Sequence, residues 1–127
     1  MRRSTGKFTS WFVSGIVLFS GILAIAPKAA WAHAVLVSAQ PRENSSVQGP
    51  DLAVLLKYNS RVDTAHSTLS LLAPDGKVKN LSIESQSAPN LLSSRLTGLT
   101  SGAYVLRWQV LASDGHITRG EIPFQVK

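Results

Sequence analysis

The chain has no cysteine, and its one methionine is Met1. The first absence excludes disulfides as a source of stability and thiolates as ligands, so neither a cross-linked scaffold nor a cysteine-held structural zinc is open to it. The second leaves no thioether past the first residue for a soft copper(I) site. Acidic residues are few, seven Asp and Glu against 13 Lys and Arg. No repeat, coiled coil or low-complexity tract is present, and beyond residue 32 no segment carries a 3.6-residue apolar period, which argues against a helical domain. Any metal chemistry has to run on nitrogen and oxygen.

The first residues are of another kind. Met1 to Lys7 is basic without an acid, Trp11 to Ala26 is apolar apart from serines and glycines, and Pro27 ends that run before Ala30-Trp31-Ala32. This order of basic, apolar and small-residue regions predicts a secretory signal over residues 1–32, cleaved after Ala32. The apolar run is shorter than the roughly 20 residues that span a bilayer. Cleavage removes Arg2, Arg3, Lys7 and Lys28, leaving nine basic against seven acidic residues, about +2 in place of +6. Those nine are scattered singly, without the clustered patch that a phosphate backbone requires, so nucleic acid is excluded as a partner.

Residues 33–127 are long enough for one core and not for two. Short extended segments alternate with turn signals: Ala34 to Ser38, Leu52 to Tyr58, Thr68 to Leu72, Val78 to Ile83, Asn90 to Leu96, Tyr104 to Val110, and a last strand with Ile122, Phe124 and Val126 inward. Leu52 to Tyr58 is nearly continuous in apolar residues and reads as covered on most of its length. Tyr104, Leu106, Trp108 and Val110 form one face of the clearest strand, with Tyr104 and Trp108 expected in the core. About seven strands of period two predict an antiparallel β-sandwich.

Three histidines survive cleavage, and one becomes the new N-terminus. There His33 offers an α-amine and an imidazole that can close a chelate ring on one ion. Ser113-Asp114-Gly115-His116 adds a carboxylate and a second imidazole, two residues apart and therefore on the same side of an extended segment. Three nitrogens and one oxygen suit the tetragonal preference of copper(II). Because the amine and imidazoles must shed protons to bind, affinity falls in acid. His66, in the polar stretch Arg61 to His66, is a further candidate ligand or neighbour of the site. Asp63 and Glu43 are expected in solvent.

Together these segments resemble the CopC family of periplasmic copper-binding proteins over nearly all of residues 33–127. The resemblance rests on His33-Ala34-x-Leu36-x-Ser38-x-x-Pro41, on Ser101-Gly102-x-Tyr104-x-x-x-Trp108, on Ser113-Asp114-Gly115-His116-x-x-x-Gly120, and on the ending Phe124-x-Val126-Lys127. It implies an immunoglobulin-like sandwich, a periplasmic location, and a copper(II) site from His33, Asp114 and His116. It also implies an inner-membrane partner of the CopD type. Two departures stand out. Some members carry a methionine-rich copper(I) site, for which residues 33–127 have no methionine. Some carry a glutamate after the second strand, where Tyr58-Asn59-Ser60-Arg61 has no carboxylate.

Three functions are compatible with this reading. The leading one is a non-enzymatic copper(II) carrier or buffer in copper homeostasis or resistance. A copper mono-oxygenase with a histidine brace, as in lytic polysaccharide monooxygenases, is the second, though the chain is short for a flat substrate face. The third is a metal-free sandwich that binds a protein.

Overall fold

The computed structural model describes residues 33–127; the leader read at 1–32 and its cleavage point lie outside them. Among the described residues there are eight strands and no helix: β1 (Leu36–Gln40), β2 (Ser45–Val47), β3 (Leu52–Tyr58), β4 (Val62–Leu72), β5 (Val78–Leu81), β6 (Leu91–Leu96), β7 (Gly102–Ala112) and β8 (Ile117–Val126). They form two sheets, one ordered β1-β3-β6 and the other β2-β8-β7-β4-β5. All pairs are antiparallel except β2 with β8. The expected immunoglobulin-like sandwich is the architecture found, with eight strands where about seven were expected.

The core follows from the period-two patterning. Tyr104, Leu106 and Val110 of β7 and Ile122, Phe124 and Val126 of β8 point inward, meeting Val54, Leu56 and Tyr58 of β3 and Leu92 and Leu96 of β6. Each fully buried aliphatic or Phe side chain contributes about 1.5–3 kcal/mol relative to exposure. Tyr104 stacks on Phe124 with ring centroids 5.7 Å apart. Its hydroxyl donates to the Thr100 carbonyl at 3.0 Å and accepts the Thr100 N–H at 3.1 Å, so its polar tip is satisfied at the corner leading into β7. Trp108 is partly buried against the same core.

Three features depart from the sequence expectation. β3 is not covered on most of its length: Ala53, Leu55 and Lys57 are exposed, because β3 is the middle strand of a sheet whose outer face meets solvent. β4 starts at Val62 instead of Thr68, so His66 lies within a strand. Its register against β7 shifts between Asp63 and Thr68, and there the Ser67 hydroxyl accepts the Leu111 N–H at 3.3 Å while donating to the Asp63 carbonyl. That hydroxyl stands in for a lost ladder bond and carries the strand across a polar stretch. β2 has no periodic signal of its own; it forms by pairing Ser45–Val47 beside Phe124–Val126.

Candidate metal centre

β7 and β8 are joined by Ser113, Asp114, Gly115 and His116. The Gly115 N–H donates to the Ala112 carbonyl at 3.0 Å, and the Ala112 N–H donates to the His116 carbonyl at 2.8 Å. This closes the three-residue hairpin loop that ends in a left-handed residue, and Gly115 has φ of 85°. A Cβ there would meet nothing within 4 Å, so conformation and not space calls for glycine. The Asp114 carboxylate folds over the turn. Its Oδ1 accepts the His116 N–H at 3.0 Å, and its Oδ2 lies 2.7 Å from His116 Nδ1. Asp114 and His116 therefore meet through a turn bridged by a carboxylate, not by alternation along an extended segment as the sequence suggested.

His33 arrives from the chain leading into β1. The carbonyl of the buried Ala34 accepts the Thr118 hydroxyl at 3.0 Å, and Val35 exchanges two hydrogen bonds with Asn59. This sets His33 Nδ1 3.3 Å from the same Asp114 Oδ2. The two imidazoles pack edge to face, centroids 4.5 Å apart at 81°. One ligand atom from each of His33, Asp114 and His116 lies within 4.8 Å of the others. The Asp114 side chain is 19 % exposed, while His33 and His116 are 52 % and 64 % exposed. The carboxylate is thus the floor of the cluster and the imidazoles its open rim.

The backbone N–H of His116, helped by its ring and by the charge of His33, holds the Asp114 carboxyl below its ordinary pKa against the opposing effect of burial. Asp114 is therefore ionised at neutral pH. An ionised carboxylate only accepts, so His116 Nδ1 carries the hydrogen of their contact in the metal-free protein. Two imidazoles and one carboxylate form a hard-to-borderline donor set, suited to copper(II) or zinc and not to copper(I).

The structure does not bring His66 into this cluster. Its Nδ1 lies 2.9 Å from Asp63 Oδ2, and the ring is 70 % exposed. That ring contact lowers the Asp63 pKa. Asp63 and Glu43 are both exposed, as expected. The sequence reading passed over Asn59 and Thr118. Thr118 had a signal available: extending the inward set Ile122, Phe124, Val126 back along β8 places it on the inner face, two residues past His116.

A β-sandwich that carries an open imidazole–carboxylate cluster at one pole is the class of protein these features define. The chain belongs to the CopC family: residues 36–127 match the CopC domain. That match includes Asp114 and His116 and begins just after His33. Protein YobA of Escherichia coli (strain K12) is 31 % identical over 100 residues, 76 % of this chain and 81 % of that protein. Copper resistance protein C of Xanthomonas campestris pv. juglandis is 28 % identical over 111 residues, 81 % and 87 % of the two chains. Among solved structures, CopC from Methylosinus trichosporium OB3b superposes with a TM-score of 0.70 at 33 % identity, covering 75 % of this chain and 94 % of that one.

Proposed function

We propose that this protein binds copper(II) in the periplasm as a carrier or buffer, and that its site is completed when removal of residues 1–32 frees the α-amine of His33. The observation that carries the reading is the convergence of His33 Nδ1 and His116 Nδ1 on one Asp114 oxygen, at 3.3 and 2.7 Å. The α-amine and Nδ1 of His33 would chelate the ion, with His116 and Asp114 supplying the remaining donors. Copper would displace the proton that His116 Nδ1 shares with Asp114 if it bound that nitrogen, so binding releases protons and weakens in acid.

Family membership supports copper as the cargo, since one relative is named for copper resistance. Binding and release require no catalysis. A carboxylate in the donor set fills a position that oxygen activation would need open, which favours a carrier over a mono-oxygenase. The exposed imidazole rim leaves the ion within reach of a partner, for which a CopD-type protein of the inner membrane is the proposed class.

The test is copper(II) titration, followed by electron paramagnetic resonance, of a protein beginning at His33 and of one with a single alanine added before it. Residues 33–127 hold all the described strands and core, so both forms keep the sandwich. Tight binding by the first and a changed spectrum with much weaker binding by the second is the expected result. Equal binding by both would remove the α-amine from the site.

A further inference from the structure

Building on that copper site, we infer that Asn59 and Thr118 form a clamp that fixes the N-terminal arm, so that the nitrogens of His33 stand in register with His116 and Asp114. The first residues of a domain are poorly ordered unless tied down. A site that uses the terminal amine needs such a tie, because every freedom left to His33 must be lost when the ion binds.

The tie is visible on the two residues that follow His33 along the arm. Asn59 engages Val35 from two directions: its side-chain Oδ1 accepts the Val35 N–H at 2.8 Å, and its backbone N–H donates to the Val35 carbonyl at 3.0 Å. The first of these bonds depends on the side chain, and Asn59 sits just past the end of β3, where the β1–β3 register is about to shift. Thr118 takes the next residue, its hydroxyl donating to the Ala34 carbonyl at 3.0 Å. The buried methyl of Ala34 locks that residue into the core.

The two anchors come from different sheets. Asn59 follows β3 of the three-stranded sheet, and Thr118 belongs to β8 of the five-stranded one. The arm is therefore pinned across the mouth of the sandwich. Thr118 is also on the strand that begins beside His116, so its bond to Ala34 ties one histidine to the other over a single residue on one side and two on the other. Asn59 and Thr118 are positioning residues: each acts through the backbone of the two residues that follow His33.

The experiment uses protein exported with its own leader, purified after processing, its N-terminus read by mass spectrometry. Asn59→Leu and Thr118→Val remove the side-chain bonds at near-constant size, while Thr118→Ser keeps its own. Copper(II) affinity is measured by chelator competition, with the electron paramagnetic resonance spectrum of the loaded form and amide hydrogen exchange at Val35 in the metal-free form. Asn59→Leu and Thr118→Val should each bind about tenfold more weakly, equivalent to about 1.4 kcal/mol, with an altered spectrum and a melting temperature lowered by about 4–8 °C, the cost of one hydrogen bond. Val35 should exchange faster in Asn59→Leu, and Thr118→Ser should bind like the parent. Parent-like affinity and spectrum in both disruptive variants would overturn the clamp and leave the copper site standing. No copper binding by the parent would overturn the site, and with it any positioning role.

Discussion

Gly120 to Ala is a substitution whose cost can be worked from the coordinates. Gly120 lies directly across from Trp108 in the β7–β8 ladder. A Cβ on Gly120 would fall 2.4 Å from Trp108 Cζ2, 2.5 Å from Cε2 and 2.7 Å from Nε1. Reaching an ordinary carbon–carbon separation of about 3.5 Å requires the indole to move by about 1 Å. The ring cannot simply retreat, because it packs edge to face on Tyr58 at 5.4 Å, and Tyr58 is fully buried. Overpacking of this kind costs about 1–3 kcal/mol. For a domain of this size 2 kcal/mol lowers the melting temperature by on the order of 10 °C. Trp108 is the one tryptophan in residues 33–127, so thermal unfolding followed by its emission reports the perturbed ring itself. Trp108→Phe removes the overlapping part of the indole. In that background Gly120→Ala should cost less than about 0.5 kcal/mol, or even stabilise, since alanine loses less chain entropy than glycine. A melting shift under about 2 °C in the native background, or the same cost with Phe at 108, would refute the steric argument.

The Tyr58 hydroxyl is buried without a hydrogen-bond partner among the described residues, and burial pushes its phenol pKa far up. Tyr58→Phe should therefore change stability to chemical denaturation by less than about 0.5 kcal/mol or raise it, whereas a loss above about 1.5 kcal/mol would reveal a bonded hydroxyl. His116→Ala should weaken copper(II) binding at least tenfold, on the order of 1.4 kcal/mol, while His66→Ala stays within about twofold in the same competition titration. Asp114 has a depressed pKa, so its charge persists to below the ordinary carboxylate range and is lost only as pH falls through the lowered value. Asp114→Asn should accordingly weaken copper(II) binding at least tenfold at about pH 7, where the native carboxylate is charged. Affinity within about twofold of the parent would remove the carboxylate from the donor set.

What the sequence disclosed tracks where the stabilising information resides. β7 and the end of β8 are legible because their own side chains alternate, and the Ser113–Gly115 turn is legible because an aspartate and a left-handed glycine are local requirements. β2 is illegible because its three residues owe their extended form to β8, a partner far along the chain. The front of β4 is hidden for another reason. Asp63 to His66 has the composition of a loop, and it is strand because Val62 and Asp63 pair with Ala112 and Leu111 of β7 while the Ser67 hydroxyl bridges to Leu111 beyond the register shift. Asn59 escaped notice because its role lies in an amide oxygen aimed at the backbone of Val35, a contact that no spacing rule announces.

The site itself shows why a local motif is not enough. The chain has two aspartate–histidine pairs built alike. Asp63 accepts the His66 N–H at 3.3 Å and meets its Nδ1 at 2.9 Å; Asp114 does the same with His116 at 3.0 and 2.7 Å. Read along the sequence, each is a carboxylate orienting a nearby imidazole, and either could begin a metal site. They differ in what the topology delivers as a third donor. β4 lies between β7 and β5, and no third ligating residue among those described gathers with Asp63 and His66. β8 runs beside the incoming arm, where Thr118 holds Ala34 and brings His33 to Asp114. Two donors alone leave an ion largely to water, whereas a third, itself able to chelate once its amine is free, would turn the same pair into a coordinating site. The pairs differ in which of them strand order sets beside the arm that Thr118 bonds at Ala34, and that difference is visible only in the fold.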